Sequence, residues 1–203
     1  MPKIVDHAAR RLELVDACLR VVANAGLPGT TTREIAREAG VSHGIIAHYF
    51  DSKDEILRAA LQRSYNLLAE RIQAELTGLN GAAALRQALL AALPADDAGR
   101  TGEQIELALW GYALGNPAVA DERWHTYAEW QRALEVLVRD AQVRGELDTT
   151  HDASRVAEAF VAMIDGLGVQ TALYPERQDP QRQRDIIDMT LRAFGAAVPE
   201  LDD

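Results

Sequence analysis

Residues 40–53 read GVSHGIIAHYFDSK, and the helices that this stretch joins decide the fold. Gly40 stands where a short helix would close, because a left-handed residue after the last turn costs glycine little. Ser42 stands where the next helix needs a cap, and that helix runs to about Phe50. Ser52 and Glu55 then have capping-box spacing, which launches a long helix toward Leu76. Upstream, PGTTTREIAREAG at 28–40 predicts a turn and a helix over about 32–39, with Thr31 and Glu34 as another capping box. Two short helices joined only by Gly40-Val41 have no room to pack antiparallel. A steep crossing follows, as in a helix-turn-helix.

Working outward, helical signals continue to both ends of the chain and strand signals are almost absent. A first helix is expected from about His7 to Ala25, stopped by Gly26, with Leu12, Val15, Leu19 and Val22 on one face. Beyond Gly78 an alanine-rich helix ends at Pro94, and PADDAGRTG at 94–102 is the most loop-like segment. A nearly all-apolar helix is expected over about Glu103–Leu114. Asn116-Pro117 starts a long helix ending near Gly145. Another spans about Asp152–Leu173, and Asp179-Pro180 opens the last, which ends around Gly195. The fold class is all-α, with about nine helices.

At 203 residues and 48% hydrophobic composition the chain has enough apolar material for a real core. Cys18, the single cysteine, excludes an intramolecular disulfide and fits a reducing cytoplasm. Neither a secretory pattern nor an uninterrupted apolar run long enough for a bilayer is present, so a cytoplasmic protein without a membrane partner is expected. The net charge of −10 argues against phosphate binding until its distribution is examined. Residues 1–65 hold nine basic and eight acidic side chains, so the acidity belongs to the remainder. A near-neutral head permits a DNA site there and discourages one elsewhere.

With Ile35, Ala36, Ala39, Val41, Ile46 and Phe50 in a shared small core, Ser42, His43, Gly44, Ala47, His48 and Tyr49 are left outside. A reading helix presents its N-terminal residues to base edges. Small Gly44 and Ala47 allow close approach, His43 and His48 carry hydrogen-bonding rings, and Tyr49 and Lys53 suit phosphate oxygens. Spacing alone leaves a packing corner with two exposed histidines as the alternative. A metal site is disfavoured, because His43 and His48 are five apart rather than three or four.

TTTREIAREAGVSHGIIAHYFDSKDEIL at 30–57 resembles the helix-turn-helix signature of TetR-family transcriptional repressors. The shared features are the threonine-rich lead-in, the "IA..AGVS" helix and turn, the glycine two residues after the serine, "HYF", and the lysine three residues beyond. GIIAHYF and IDGLGVQTAL are most similar to the BetI-like subgroup, repressors of choline–betaine genes. Ala47 departs from the tyrosine many members carry there, which shifts weight to His48 and Tyr49. The resemblance implies a homodimer whose two reading helices enter successive major grooves of a palindromic operator. It places Ser42, His43, Gly44, Ile45, Ala47 and His48 in the groove, and Thr32, Tyr49 and Lys53 on phosphates. It also implies a DNA-binding domain over 1–52 and a helical effector-binding and dimerisation domain over 53–203. In such a repressor the effector binds among the body helices and tilts the long helix beginning near Lys53.

In the acidic body, Phe160, Met163 and Leu167 recur at helical spacing, as do Ile187, Leu191 and Phe194. These are the dimer-interface candidates, forming a four-helix contact about a twofold axis; the alternative is that these faces bury only against their own subunit. All three tryptophans fall within residues 110–130. Glu106 and Trp110 share a helical face, and Tyr127 and Asp165 complete a candidate site for a cationic or amine effector. The alternative is that the aromatics fill a core and the acids pair with Arg123, Arg132 or Arg155. Glycine-rich phosphate loops, G-x-S-x-G and H-E-x-x-H are all missing from the sequence, so neither catalysis nor a cofactor or metal is expected. Asp121, Glu122 and His125 have cluster spacing but sit at a solvated helix start. Cys18, beside Leu14, Val21 and Val22, reads as an inert core thiol.

Overall fold

The computed structural model describes residues 7–177 and 179–197. Nine α-helices and no strand occur among these residues: α1 His7–Gly29, α2 Thr32–Glu38, α3 His43–Tyr49, α4 Lys53–Glu75, α5 Gly81–Ala92, α6 Asp97–Ala113, α7 Pro117–Val143, α8 Ala153–Leu173 and α9 Pro180–Ala193. A 3-10 turn occupies Pro175–Arg177. Gly26, at φ 64, breaks the helical path inside α1, where the sequence places that helix's end.

Local chemistry explains the short elements. Gly40 has φ 67, its N–H donates to the Arg37 carbonyl at 3.2 Å, and the Val41 N–H reaches back to Ala36 at 3.0 Å. These two bonds are the Schellman closure, which satisfies the last carbonyls of α2. The capping boxes form only in half. The Glu34 N–H donates to Thr31 Oγ1 at 3.1 Å, but the Glu34 carboxylate turns to Arg37 instead. The Glu55 N–H donates to Ser52 Oγ at 3.2 Å, while the Glu55 carboxylate accepts from the Asp51 N–H and from Arg11. At Glu34 a cation within reach outcompetes a backbone donor that water can satisfy. Ser42 occupies the N-cap of α3 without a side-chain cap bond.

The segment 94–102 is not the loop its composition suggests, since α6 already begins at Asp97. Asp96 is the reason. Its carbonyl accepts from the Arg100 N–H at 2.9 Å and its carboxylate from the Gly99 N–H at 2.6 Å. An acidic N-cap outweighs the poor helix propensity of Gly99 and Gly102.

Two compact units emerge from the packing. One comprises the described part of Met1–Leu67 with Gln104–Thr126, the other Leu68–Glu103 with the described residues from Tyr127 onward. In the first unit, Leu14, Cys18 and Val22 of α1 share a core with Ile35, Ile46, Phe50, Leu57, Leu61 and Leu109. In the second, Leu85 and Leu89 of α5 pack with Leu134, Val138, Val156, Phe160, Ile187 and Leu191. Burying each such side chain stabilises by roughly 1.5–3 kcal/mol. Arg86 of α5 grips the buried Asp188 of α9 through two bonds of 2.6 and 2.8 Å. The first turn of α5 donates to Asp140 and Glu146, each at 2.7 Å.

This packing corrects the interface candidates. Phe160, Ile187 and Leu191 have no exposed surface at all, so none is left to contact a second copy. Met163, Leu167 and Phe194 are partly buried against the same core. The periodic apolar stripe of an amphipathic helix goes first to its own core. The outward face of α8 instead carries Ala159, Ala162, Gly166 and Leu173, and that of α9 carries Met189. By length and composition α8 would suffice to cross a membrane; Val156, Phe160, Val161 and Ile164 in the core account for its apolarity.

Candidate nucleic-acid interface

Ile35, Ala36, Ile46 and Phe50 are buried, and Ala39 and Val41 half-buried, so α2 and α3 share the small core their sequence pattern demands. The opposite side of α3 is open: Ser42, His43, Gly44, Ile45, Ala47 and His48 are all exposed, with Tyr49 half-buried at the far end. A Cβ built on Gly44 meets nothing within 4 Å, so this face is clear for close approach. Thr32 Oγ1 lies 3.0 Å from His43 Nε2. That bond ties the first residue of α2 to the first of α3 and restrains a ring that would otherwise sample several rotamers.

Lys53 is half-buried at the start of α4, its ammonium 6.0 Å from the centre of the Tyr112 ring. Beside it, Asp54 accepts from the Tyr112 hydroxyl at 2.6 Å and from the Asn116 amide at 2.7 Å. Asn116 also caps α7, its side-chain oxygen accepting from the Val119 N–H at 3.3 Å. Chiefly through the Tyr112 hydroxyl, and then through Asn116, these donors hold the Asp54 carboxyl below the usual carboxylate range. A depressed folded-state pKa contributes stability at pH values above the ordinary carboxylate range, and that contribution is lost as pH falls through the depressed value. Tyr112→Phe removes the main donor. Its acid unfolding, followed by circular dichroism, is expected to begin at a higher pH than in the parent chain. Superimposable acid transitions would show that the bond adds nothing.

One neighbour of the reading helix is invisible in the motif. His7, in the first turn of α1, stacks against both His48 and Tyr49, with ring centroids 5.8 and 5.5 Å away; His48 and Tyr49 are themselves 5.1 Å apart. Forty residues of intervening sequence hide this contact, and the only hint is a histidine at the exposed start of a helix.

Comparison with known proteins now bears on this geometry. Residues 14–60 match the profile of bacterial regulatory proteins of the tetR family, and residues 81–196 that of the BetI-type transcriptional repressor C-terminal domain. The chain is a TetR-family transcriptional regulator of the BetI type. The transcriptional regulator BetI of Vibrio vulnificus is 32% identical over 93% of each chain. Among solved structures, a transcriptional regulator from a Rhodococcus species superposes with a TM-score of 0.81 at 28% identity, covering 93% of this chain and 99% of the other. A regulator from Saccharomonospora viridis, solved in complex with choline, gives 0.77 at 26% identity, covering 91% and 96%.

The regulator's α2–α3 pair is therefore a DNA-binding helix-turn-helix, and the protein is not an enzyme. Cys18 is fully buried and burial pushes its thiol up to about 12, which makes it inert. The effector candidates fall in different units. Glu106 and Trp110 belong to the first, and Tyr127 and Asp165 to the second, both half-buried. Glu106 is buried and accepts from Ser64 Oγ at 3.4 Å. Over the Trp110 ring lies the guanidinium of Arg123, 4.3 Å from its centre, while the buried indole N–H has no acceptor. Trp124 is 64% exposed and contributes to no core.

Proposed function

We propose that this regulator is a repressor that binds a palindromic operator as a homodimer and leaves it when a small organic cation or amine binds. The observation that carries the DNA half is the open N-terminal face of α3, backed by buried Ile46 and Phe50 and restrained through Thr32 and His43. On this reading Ser42, His43, Gly44, Ile45, Ala47 and His48 face the groove, and Thr32, Tyr49 and Lys53 hold phosphates. Residues 1–52 serve DNA binding and residues 53–203 serve effector binding and dimerisation. The compact units follow packing and divide the chain differently. Such a regulator works where its operator lies, in the cytoplasm.

For the effector, the supporting observation is Arg123 lying on the Trp110 face. That face attracts a cation already supplied by the protein, and an organic cation competes for the same quadrupole. Glu106 is a further candidate in the same unit, and Tyr127 and Asp165 are separate candidates in the other. The choline held by the Saccharomonospora regulator makes a quaternary ammonium the first compound to try. An effector acts only by binding the released form better than the DNA-bound one. Titrating choline, betaine and a polyamine is expected to change tryptophan fluorescence and to release a bound duplex over the same concentration range. Trp110→Phe should move both titrations together. A response to neutral or acidic compounds, with none to any cation, sinks the cationic half and leaves the DNA half standing.

A further inference from the structure

Three of the chain's five histidines, His7, His43 and His48, lie on or beside α3. They are held differently. His43 is tied by a hydrogen bond to Thr32, whereas among the described residues His48 meets rings only: His7 on one side and Tyr49, edge-on at 87°, on the other. His7 is itself exposed, so packing against His48 and Tyr49 does not remove its nitrogens from solvent. Imidazole offers a donor in both of its charge states and two donors when protonated. We propose that His7 belongs to the DNA interface, where it positions the His48 and Tyr49 rings and donates to a backbone phosphate beside the reading helix. The proposal rests on the DNA-binding reading above.

The charges around this cluster favour that role. Arg10 and Arg11, one turn along α1 from His7, are engaged by Glu13 at 2.6 Å and by Glu55 at 2.8 Å. Arg11 also lies over the Phe50 ring, 4.4 Å from its centre, and Lys53 lies over Tyr112. These cations are partly spent on intramolecular partners. Among the described residues no carboxylate pairs with His7 or His48. Imidazole changes charge within the physiological range, and a phosphate beside it favours the charged form. A contact between an imidazolium and a phosphate is therefore strongest at lower pH and weakens as pH rises. A phosphate contact also adds close to one unit to the salt dependence per subunit.

The test uses the full chain and a labelled duplex that the parent protein selects from a randomised pool, with binding followed by fluorescence anisotropy. His7→Phe keeps a ring against His48 and Tyr49 but has no donor; His7→Gln keeps a donor but cannot be protonated. At pH 6, His7→Phe is expected to weaken binding roughly tenfold and to flatten the salt dependence. At pH 8 the loss should shrink to about threefold or less. His7→Gln should recover part of the affinity at pH 8 but little at pH 6. Circular dichroism of both variants should match the parent. Parent-like affinity for His7→Phe at both pH values overturns the proposal. So does an equal loss at both pH values with an unchanged salt slope, because that marks a packing role alone. Failure of the parent to select any duplex would defeat the DNA-binding reading itself, and is distinguished by that control.

Discussion

Gly166→Arg is expected to leave each subunit folded and to abolish the dimer. Gly166 lies on the exposed face of α8 and a Cβ built there meets nothing within 4 Å. Replacing an interior helical glycine gains up to about 1 kcal/mol of helix propensity, so the thermal midpoint of the isolated subunit should hold or rise. If the free face of α8 that carries Ala159, Ala162 and Gly166 meets a second copy, the arginine fills that space and sets two like charges across a twofold axis. A dimer engages both half-sites at once, and a monomer forfeits that effective concentration. Operator affinity should fall on the order of 100-fold or more. Analytical ultracentrifugation and anisotropy measure both effects. A Gly166→Arg protein that sediments as the parent dimer would show that α8 does not face its partner at this point.

Joint replacement of Tyr49 and Lys53 by alanine has the second large effect. Both residues are half-buried, Tyr49 at the end of α3 and Lys53 at the start of α4, and suit phosphates rather than base edges. Binding should weaken on the order of 100-fold at low salt for every duplex tested, with little change in which sequence is preferred. Because a dimer loses one Lys53 charge per subunit and the Tyr49 hydroxyl carries none, the slope of log affinity against log salt should flatten by about two. Tyr49→Phe separates the hydroxyl from the ring, which also packs with His7 and His48. Unchanged affinity for the double variant would refute the phosphate assignments. A loss confined to one sequence would mean these residues read bases.

Much of this architecture is legible because its signals are local. Gly40 closes α2, Asn116-Pro117 opens α7 and Asp179-Pro180 opens α9, since caps and turns depend on a few neighbouring residues. The exposed set on α3 follows from helical periodicity once Ile46 and Phe50 are assigned inward. Local signals do not decide where a distant or unexpected partner intervenes. Glu34 turns to Arg37 and Glu55 adds Arg11, and Asp96 converts a loop-like segment into the first turns of α6.

From its sequence alone the chain determines an all-α fold, a helix-turn-helix at its head, and an open face on α3, because each follows from spacing within a few turns. Tertiary structure decided which side of α8 and α9 remains free, since Phe160, Ile187 and Leu191 are absorbed by the subunit's own core. It alone placed Arg123 on Trp110 and brought His7 to His48. Those contacts join residues 13 and 41 positions apart, and a periodic pattern says which face a side chain takes without saying what meets it there.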